Sequence, residues 1–173
     1  LLNYKPKKII FAVNSTIYRL LYQLKSSKVD IRLINPLDDE YDYFIPIFSL
    51  IKLLEKNNDP MDGWLKIDEK DLTYGKLIID SMTNKIKIGI NWKGNPNHTN
   101  DTHRSTTIND ILEKANLDTN NNQIFSFQFN PTEEEKEYLK QNNIIDLSSR
   151  INDIYDMGMF LSQMNEFISI DRA

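Results

Sequence analysis

The apolar positions of this chain change period repeatedly, and the changes alternate two kinds of element. "KKIIFAV" (Lys7–Val13) is a β-branched and aromatic run that predicts a strand buried on both faces. Behind it, "STIYRLLYQLKSS" sets Ile17, Leu20, Leu21 and Leu24 at helical spacing. "VDIRLIN" (Val29–Asn35) alternates and stops at Pro36, which predicts a second strand. An acidic turn comes next, then an apolar stretch interrupted by Pro46 whose second part predicts a helix. The breaker-rich "NNDPMDGW" marks a domain boundary, and "DEKDLTYGKLIIDSM" beyond it predicts an amphipathic helix with Gly75 as its weak point.

From Ile86 onward the alternation is regular. "KIKIGINW", "QIFSFQF", "IIDLSS" and "EFISID" predict strands, and three helical patterns separate them. "TTINDILEKANL" carries Thr107 and Asp110 at capping-box spacing. "NPTEEEKEYLKQNN" offers Asn130 as N-cap, Pro131 at the first helical position and three glutamates in the first turn. "INDIYDMGMFLSQM" is the third helix. Strands alternating with helices of this length imply an α/β fold with parallel sheets covered by helices, divided into units 1–66 and 67–173. Ligands of such sheets bind at the carboxyl ends of the strands.

Composition narrows the classes. The 173 residues, 40% hydrophobic and 27% charged, suffice to bury a core in one domain or two small ones. A net charge of -4 and a pI near 5.2 argue against a nucleic-acid surface built on a general basic excess. Without cysteine there are no disulfides, thiolate nucleophiles or thiolate metal sites. No segment stays apolar for the roughly 18 residues a membrane span needs, and no leader pattern opens the chain, so a soluble, cytoplasmic protein is expected.

One stretch departs from the rest: "KIGINWKGNPNHTNDTHRS" (Lys87–Ser105), where an apolar strand runs into a dozen polar residues that stop at a helix start. Gly94 permits close backbone approach, Asn95, Asn97 and Asn100 offer amide donors, and Lys93, His98, His103 and Arg104 offer cations. With the helix N-terminus at Thr106 or Thr107 these groups suit a phosphate or pyrophosphate. Two other readings stay open: a solvated surface loop, and a metal site built from His98, Asp101 and His103.

The same stretch resembles the start of the C-terminal domain in heptosyltransferase-like glycosyltransferases of the GT-B fold, especially those that follow tetratricopeptide repeats in bacterial proteins. Trp92, Gly94, Asn95, Pro96, His98, Asp101, Arg104 and Ser105 match the family's W-x-G-N-P-x-H-x-x-D-x-x-R-S loop. "FSFQ" resembles its strand ending in Leu-Gln, with Gln128 as the Gln, and "IIDLSSRINDIYDMGMFLSQMNEFISIDRA" resembles its D-L…D-F-x-D-T-A…S-V-D-T-A segment. Upstream, "DYFIPIFSL" is similar to its D-x-x-x-P-L-x-S-L-P stretch.

The resemblance implies a GT-B-like architecture with parts of two Rossmann-like parallel-sheet domains, incomplete at both ends. Residues 1–66 would close an acceptor-side domain; residues 67–173 would supply a bridging helix and the first half of the nucleotide-sugar domain. It implies a nucleotide-sugar donor as partner, bound weakly or not at all by a chain lacking the rest of the site, and no metal or other cofactor. Lys93 and Arg104 would face phosphate, Gly94 and Asn95 would supply donors, and Gln128 and Asp156 would approach the base or ribose. His98, Asp101, Ser105 and Asp171 complete the implied donor site. Met157 and Arg172 stand where the family has Thr, and the family's G-x-G-D and A-H-L segments have no counterpart. The chain alone is therefore expected to transfer no sugar. Plainer roles stay open for each group: Arg104 pairing with Asp101, Gln128 capping a strand end, Asp156 as a helix carboxylate, Asp171 capping the segment after the last strand. A non-catalytic remnant or interaction module, associating through exposed sheet edges, is the alternative function.

Overall fold

A computed structural model describes residues 6–34, 41–46, 49, 66–94, 104–117 and 121–170. The chain divides into two compact units, 1–66 and 67–173. Both carry parallel sheets, so the protein is α/β.

In the first unit β1 (Ile9–Val13) and β2 (Val29–Leu33) pair in parallel, Ile9 against Val29 through Val13 against Leu33. The helix between them, α1 (Ser15–Leu21), starts at Asn14, whose Oδ1 accepts from the Ile17 N–H at 3.2 Å. It ends in one 3-10 turn, Tyr22–Leu24, rather than continuing as α-helix. Leu21 closes a small core with Val13 and Ile31. The expectation of a β1 buried on both faces is corrected: burial alternates, and Ile10 and Ala12 on the other face are exposed. Among the described residues α1 alone packs against this sheet, and one helix covers one face. The predicted helix after Pro46 and the turn Asn57–Trp64 lie outside the described residues, Ser49 apart.

The second unit is a three-layer sandwich. Its elements run α2 (Glu69–Met82), β3 (Ile86–Asn91), α3 (Ile108–Lys114), β4 (Asn122–Ser126), α4 (Glu133–Gln141), β5 (Ile145–Asp146), α5 (Ile154–Leu161) and β6 (Glu166–Ser169). The strands are parallel and lie in the order β5-β4-β3-β6. Chain order therefore reverses between β3 and β6, an arrangement compatible with a Rossmann-like fold. Ile88, Ile90, Trp92 and Ile124 point to one face, where Ile108 and Ile111 of α3 and Leu139 of α4 cover them. Phe125 and Phe127 point to the other, against Ile79 of α2 and Met159 and Phe160 of α5. That period-two split of two consecutive apolar runs is what a sheet covered on both sides requires.

Three local expectations change. Asn130 does not cap α4: it sits in the left-handed region, φ 47°, and Thr132 is the N-cap. The Thr132 hydroxyl accepts from the Glu135 N–H (3.2 Å) while Glu135 Oε2 accepts from the Thr132 N–H (2.8 Å), satisfying two helix-start donors reciprocally. The strand expected over "IIDLSS" pairs only at Ile145 and Asp146, because Ser148–Arg150 turns into a 3-10 helix. Gly75 is a packing point, not a weakness, since a Cβ there would stand 2.8 Å from Met159 Cγ and 3.3 Å from the Met159 carbonyl oxygen. Thr107 and Asp110 do form the expected capping box on α3.

No helix among the described residues is long and apolar enough to cross a membrane.

Candidate functional site at the carboxyl end of the second sheet

The loop after β3 is closed by a two-bond neck. The Thr106 N–H donates to the Trp92 carbonyl at 2.8 Å, and the Gly94 N–H donates to Ser105 Oγ at 3.0 Å. Ser105 is thus committed to the neck, and Gly94, Arg104 and Ser105 all sit partly buried at the carboxyl end of β3. Asn95, His98 and Asp101 lie inside the loop and outside the described residues, as do His103 and, past β6, Asp171.

Gln128 braces the same neck from below. It is buried, and its Oε1 accepts from the Lys93 N–H at 2.9 Å, the Trp92 N–H at 3.3 Å and Asn91 Nδ2 at 3.1 Å. Its Nε2 donates to the carbonyls of Phe129 (3.2 Å) and Lys93 (3.4 Å). A single amide therefore ties the end of β4 to the end of β3, with donors and acceptors both used. This is the strand-end cap that stood open beside the base-binding role.

Lys93 turns to α4. Its Nζ lies 2.6 Å from Glu135 Oε2, and Trp92 Nε1 donates to Glu135 Oε1 at 2.9 Å. Burial is the largest single influence on the Glu135 carboxyl and pushes its pKa up. The hydrogen bonds from Lys93, Trp92 and the Thr132 N–H, with the Lys93 charge, outweigh it together and hold the group below the usual value. The ion pair borders a pocket of about 340 Å³ between the first turns of α3 and α4, lined among others by Thr106, Thr107, Asn109 and Tyr138.

Asp156 lies apart from Gln128 in its bonding. It is buried in the first turn of α5, accepts from the Asn152 N–H (3.0 Å) and Asn152 Nδ2 (2.9 Å), and donates its own N–H to the cap residue Asp153 at 2.8 Å. These bonds organise the helix start.

Two residues that the sequence did not single out belong to the site. Glu135 was legible in Thr132-x-x-Glu135, a capping-box spacing that competes with the Asn130-Pro131 signal beside it. Asn91 had no such signal. It is 0% exposed, the last residue of the central strand, and its Nδ2 donates to Gln128 Oε1 and weakly, at 3.5 Å, to the Phe127 carbonyl. Its Oδ1 is buried with no hydrogen-bond partner.

Among the described residues no group of three His, Asp or Glu side chains could hold a metal ion. Comparison with protein-family models, with curated proteins and with solved structures returned no match.

Proposed function

We propose that this chain is a heptosyltransferase-like glycosyltransferase segment whose second unit carries part of a nucleotide-sugar donor site, with the diphosphate held over the carboxyl end of β3. The observation that carries the reading is positional. The loop bearing the family-like motif leaves β3 at the edge where the strand order reverses, which is where open α/β sheets take their ligands. Arg104 is the group we assign to phosphate; the Gly94 N–H is held by Ser105 Oγ, Gln128 acts through the backbone it braces, and Lys93 shares its charge with Glu135. Cationic side chains and oriented N–H groups neutralise a leaving diphosphate without a metal.

Calorimetric titration of the chain with UDP, ADP, GDP and CDP tests this. One of them is expected to bind, and Arg104→Ala is expected to weaken it about tenfold or more, since a charge-assisted bond to phosphate contributes about 1.5–3 kcal/mol. Unchanged affinity in Arg104→Ala overturns the donor-site assignment.

A non-catalytic interaction module remains the second reading, and one observation favours it: Gln128 and Lys93, both candidate donor contacts, are engaged within the fold. It predicts that none of the four nucleotides binds.

A further inference from the structure

The pocket between the first turns of α3 and α4 is lined by polar groups that the fold leaves over. Its volume of about 340 Å³ is at the lower end of the roughly 300–1,000 Å³ that small-molecule sites span, and suits one sugar-sized ring. Lys93 and Thr106 of the loop neck line it beside Asn109, Glu134, Glu135 and Tyr138.

Some of these groups are spent inside the protein. The Glu135 carboxylate takes Lys93 and the Trp92 indole, and the Thr106 hydroxyl donates to Asp110 Oδ2 at 3.0 Å. Others are not. The Tyr138 hydroxyl donates to Asn109 Oδ1, which identifies the other end of that carboxamide as nitrogen. Among the described residues Asn109 Nδ2 meets no acceptor, and the Glu134 carboxylate has neither a hydrogen bond nor an ion pair. Both side chains are exposed, so the water on them exchanges freely for a ligand.

Charge and shape select that ligand. Lys93 brings one positive charge against two negative ones on Glu134 and Glu135, and Asp110 stands beside Thr106, so an anion is repelled. A free carboxylate and a free amide N–H in one pocket match hydroxyls, which donate to the first and accept from the second. An ammonium would satisfy Glu134 and leave Asn109 nothing to donate to. Tyr138 packs in part against the core and in part lines the pocket, an aromatic surface for the C–H face of a ring.

We propose that this pocket binds a neutral polyhydroxylated ring, a monosaccharide unit, with Glu134 accepting from its hydroxyls, Asn109 Nδ2 donating to one of its oxygens and Tyr138 against its apolar face. The site stands on its own lining, whether or not phosphate lies over the neck. The ring is either free or carried by a larger ligand, and the test tells these apart.

Amide-detected NMR titration follows the Asn109 side chain in the full chain. The probes are D-glucose, D-galactose, D-mannose and D-ribose, then UDP, UDP-glucose and UDP-galactose, then inorganic phosphate. At least one sugar is expected to shift the resonance at millimolar concentration, and phosphate to leave it in place. Glu134→Ala is expected to weaken the sugar about tenfold, and Asn109→Ala, followed on backbone amides of α4, about threefold to tenfold. Both positions are exposed, and thermal unfolding confirms that the variants are folded. A nucleotide sugar that binds more tightly than the free sugar at the same resonance shows a carried ring; equal or weaker binding shows a free one. A shift with UDP and with no sugar gives the pocket to the nucleoside and overturns the inference. So do a shift with phosphate, unchanged sugar affinity in Glu134→Ala, and no shift with any probe. Failure of the donor-site reading is scored separately, by nucleotide affinity in Arg104→Ala, a residue outside this lining.

Discussion

Replacing Glu135 by Gln is the sharpest probe of how the loop neck is held. One carboxylate serves three donors: Oε2 takes the Lys93 ammonium at 2.6 Å and the Thr132 N–H at 2.8 Å, and Oε1 takes the Trp92 indole N–H at 2.9 Å. An amide has one oxygen, so either orientation turns an NH2 group on at least one of these donors. If the oxygen stays with Lys93 and Thr132, the indole N–H of the fully buried Trp92 loses its acceptor. A buried donor so stranded costs about 1–3 kcal/mol, and the partly exposed ion pair adds at most about 1 kcal/mol. The expected loss is therefore about 1–4 kcal/mol. Urea unfolding in a Trp64→Phe background, where Trp92 is the only indole, measures it. The pH dependence has a definite sign. A carboxyl held below its ordinary value stabilises the fold above the unfolded pKa, near 4.3 for Glu, and that contribution disappears as pH falls through the folded value. The wild type should therefore lose its advantage over Glu135→Gln on acidification below about pH 4. Equal stability at pH 7, within about 0.5 kcal/mol, would refute the three-donor account.

Two further substitutions probe the layers behind the site. In Gly89→Ala the new Cβ would lie 2.7 Å from Phe167 Cδ2 and 2.9 Å from Phe127 Cε2. Overpacking of about 1–3 kcal/mol, less the entropy gained on removing a glycine, leaves a net loss of about 1–2 kcal/mol in thermal unfolding; an unchanged Tm would mean the ring pair gives way freely. Tyr155→Phe removes a hydroxyl that donates to Asp71 Oδ2 (2.9 Å) and accepts from the Asp68 N–H (3.0 Å), coupling α5 to the first turn of α2. About 1 kcal/mol of stability should go, with faster hydrogen exchange in that turn, and exchange at the wild-type rate would show the coupling to be slight.

The alternation of periods made the parallel α/β character legible, because one buried face per helix and two per central strand leave different imprints on the sequence. The capping box at Thr107 and Asp110 was equally plain. What failed was decided at a distance. Gly75 looks like a helix breaker until Met159, on another helix, is known to lie against it. Asn130-Pro131 and Thr132-x-x-Glu135 are rival helix starts, and the left-handed turn at Asn130 selects the second. In the site, Lys93 was read as a cation for phosphate because its partner is 42 residues away, and Asn91 was not singled out.

The central place of β3 also sets the order in which the second unit can be completed. One flank of the strand is claimed by β4 soon after synthesis, but the other waits for β6: the Lys87 N–H meets Asn165 Oδ1 across 78 residues. Translation at about 5–20 residues per second leaves that flank open for seconds on the ribosome. Parallel pairing over such separations is intrinsically slow. Among the described strands this flank of β3 is thus the last to be paired, and for the nascent chain it is an unpaired strand edge that a chaperone would be expected to shield.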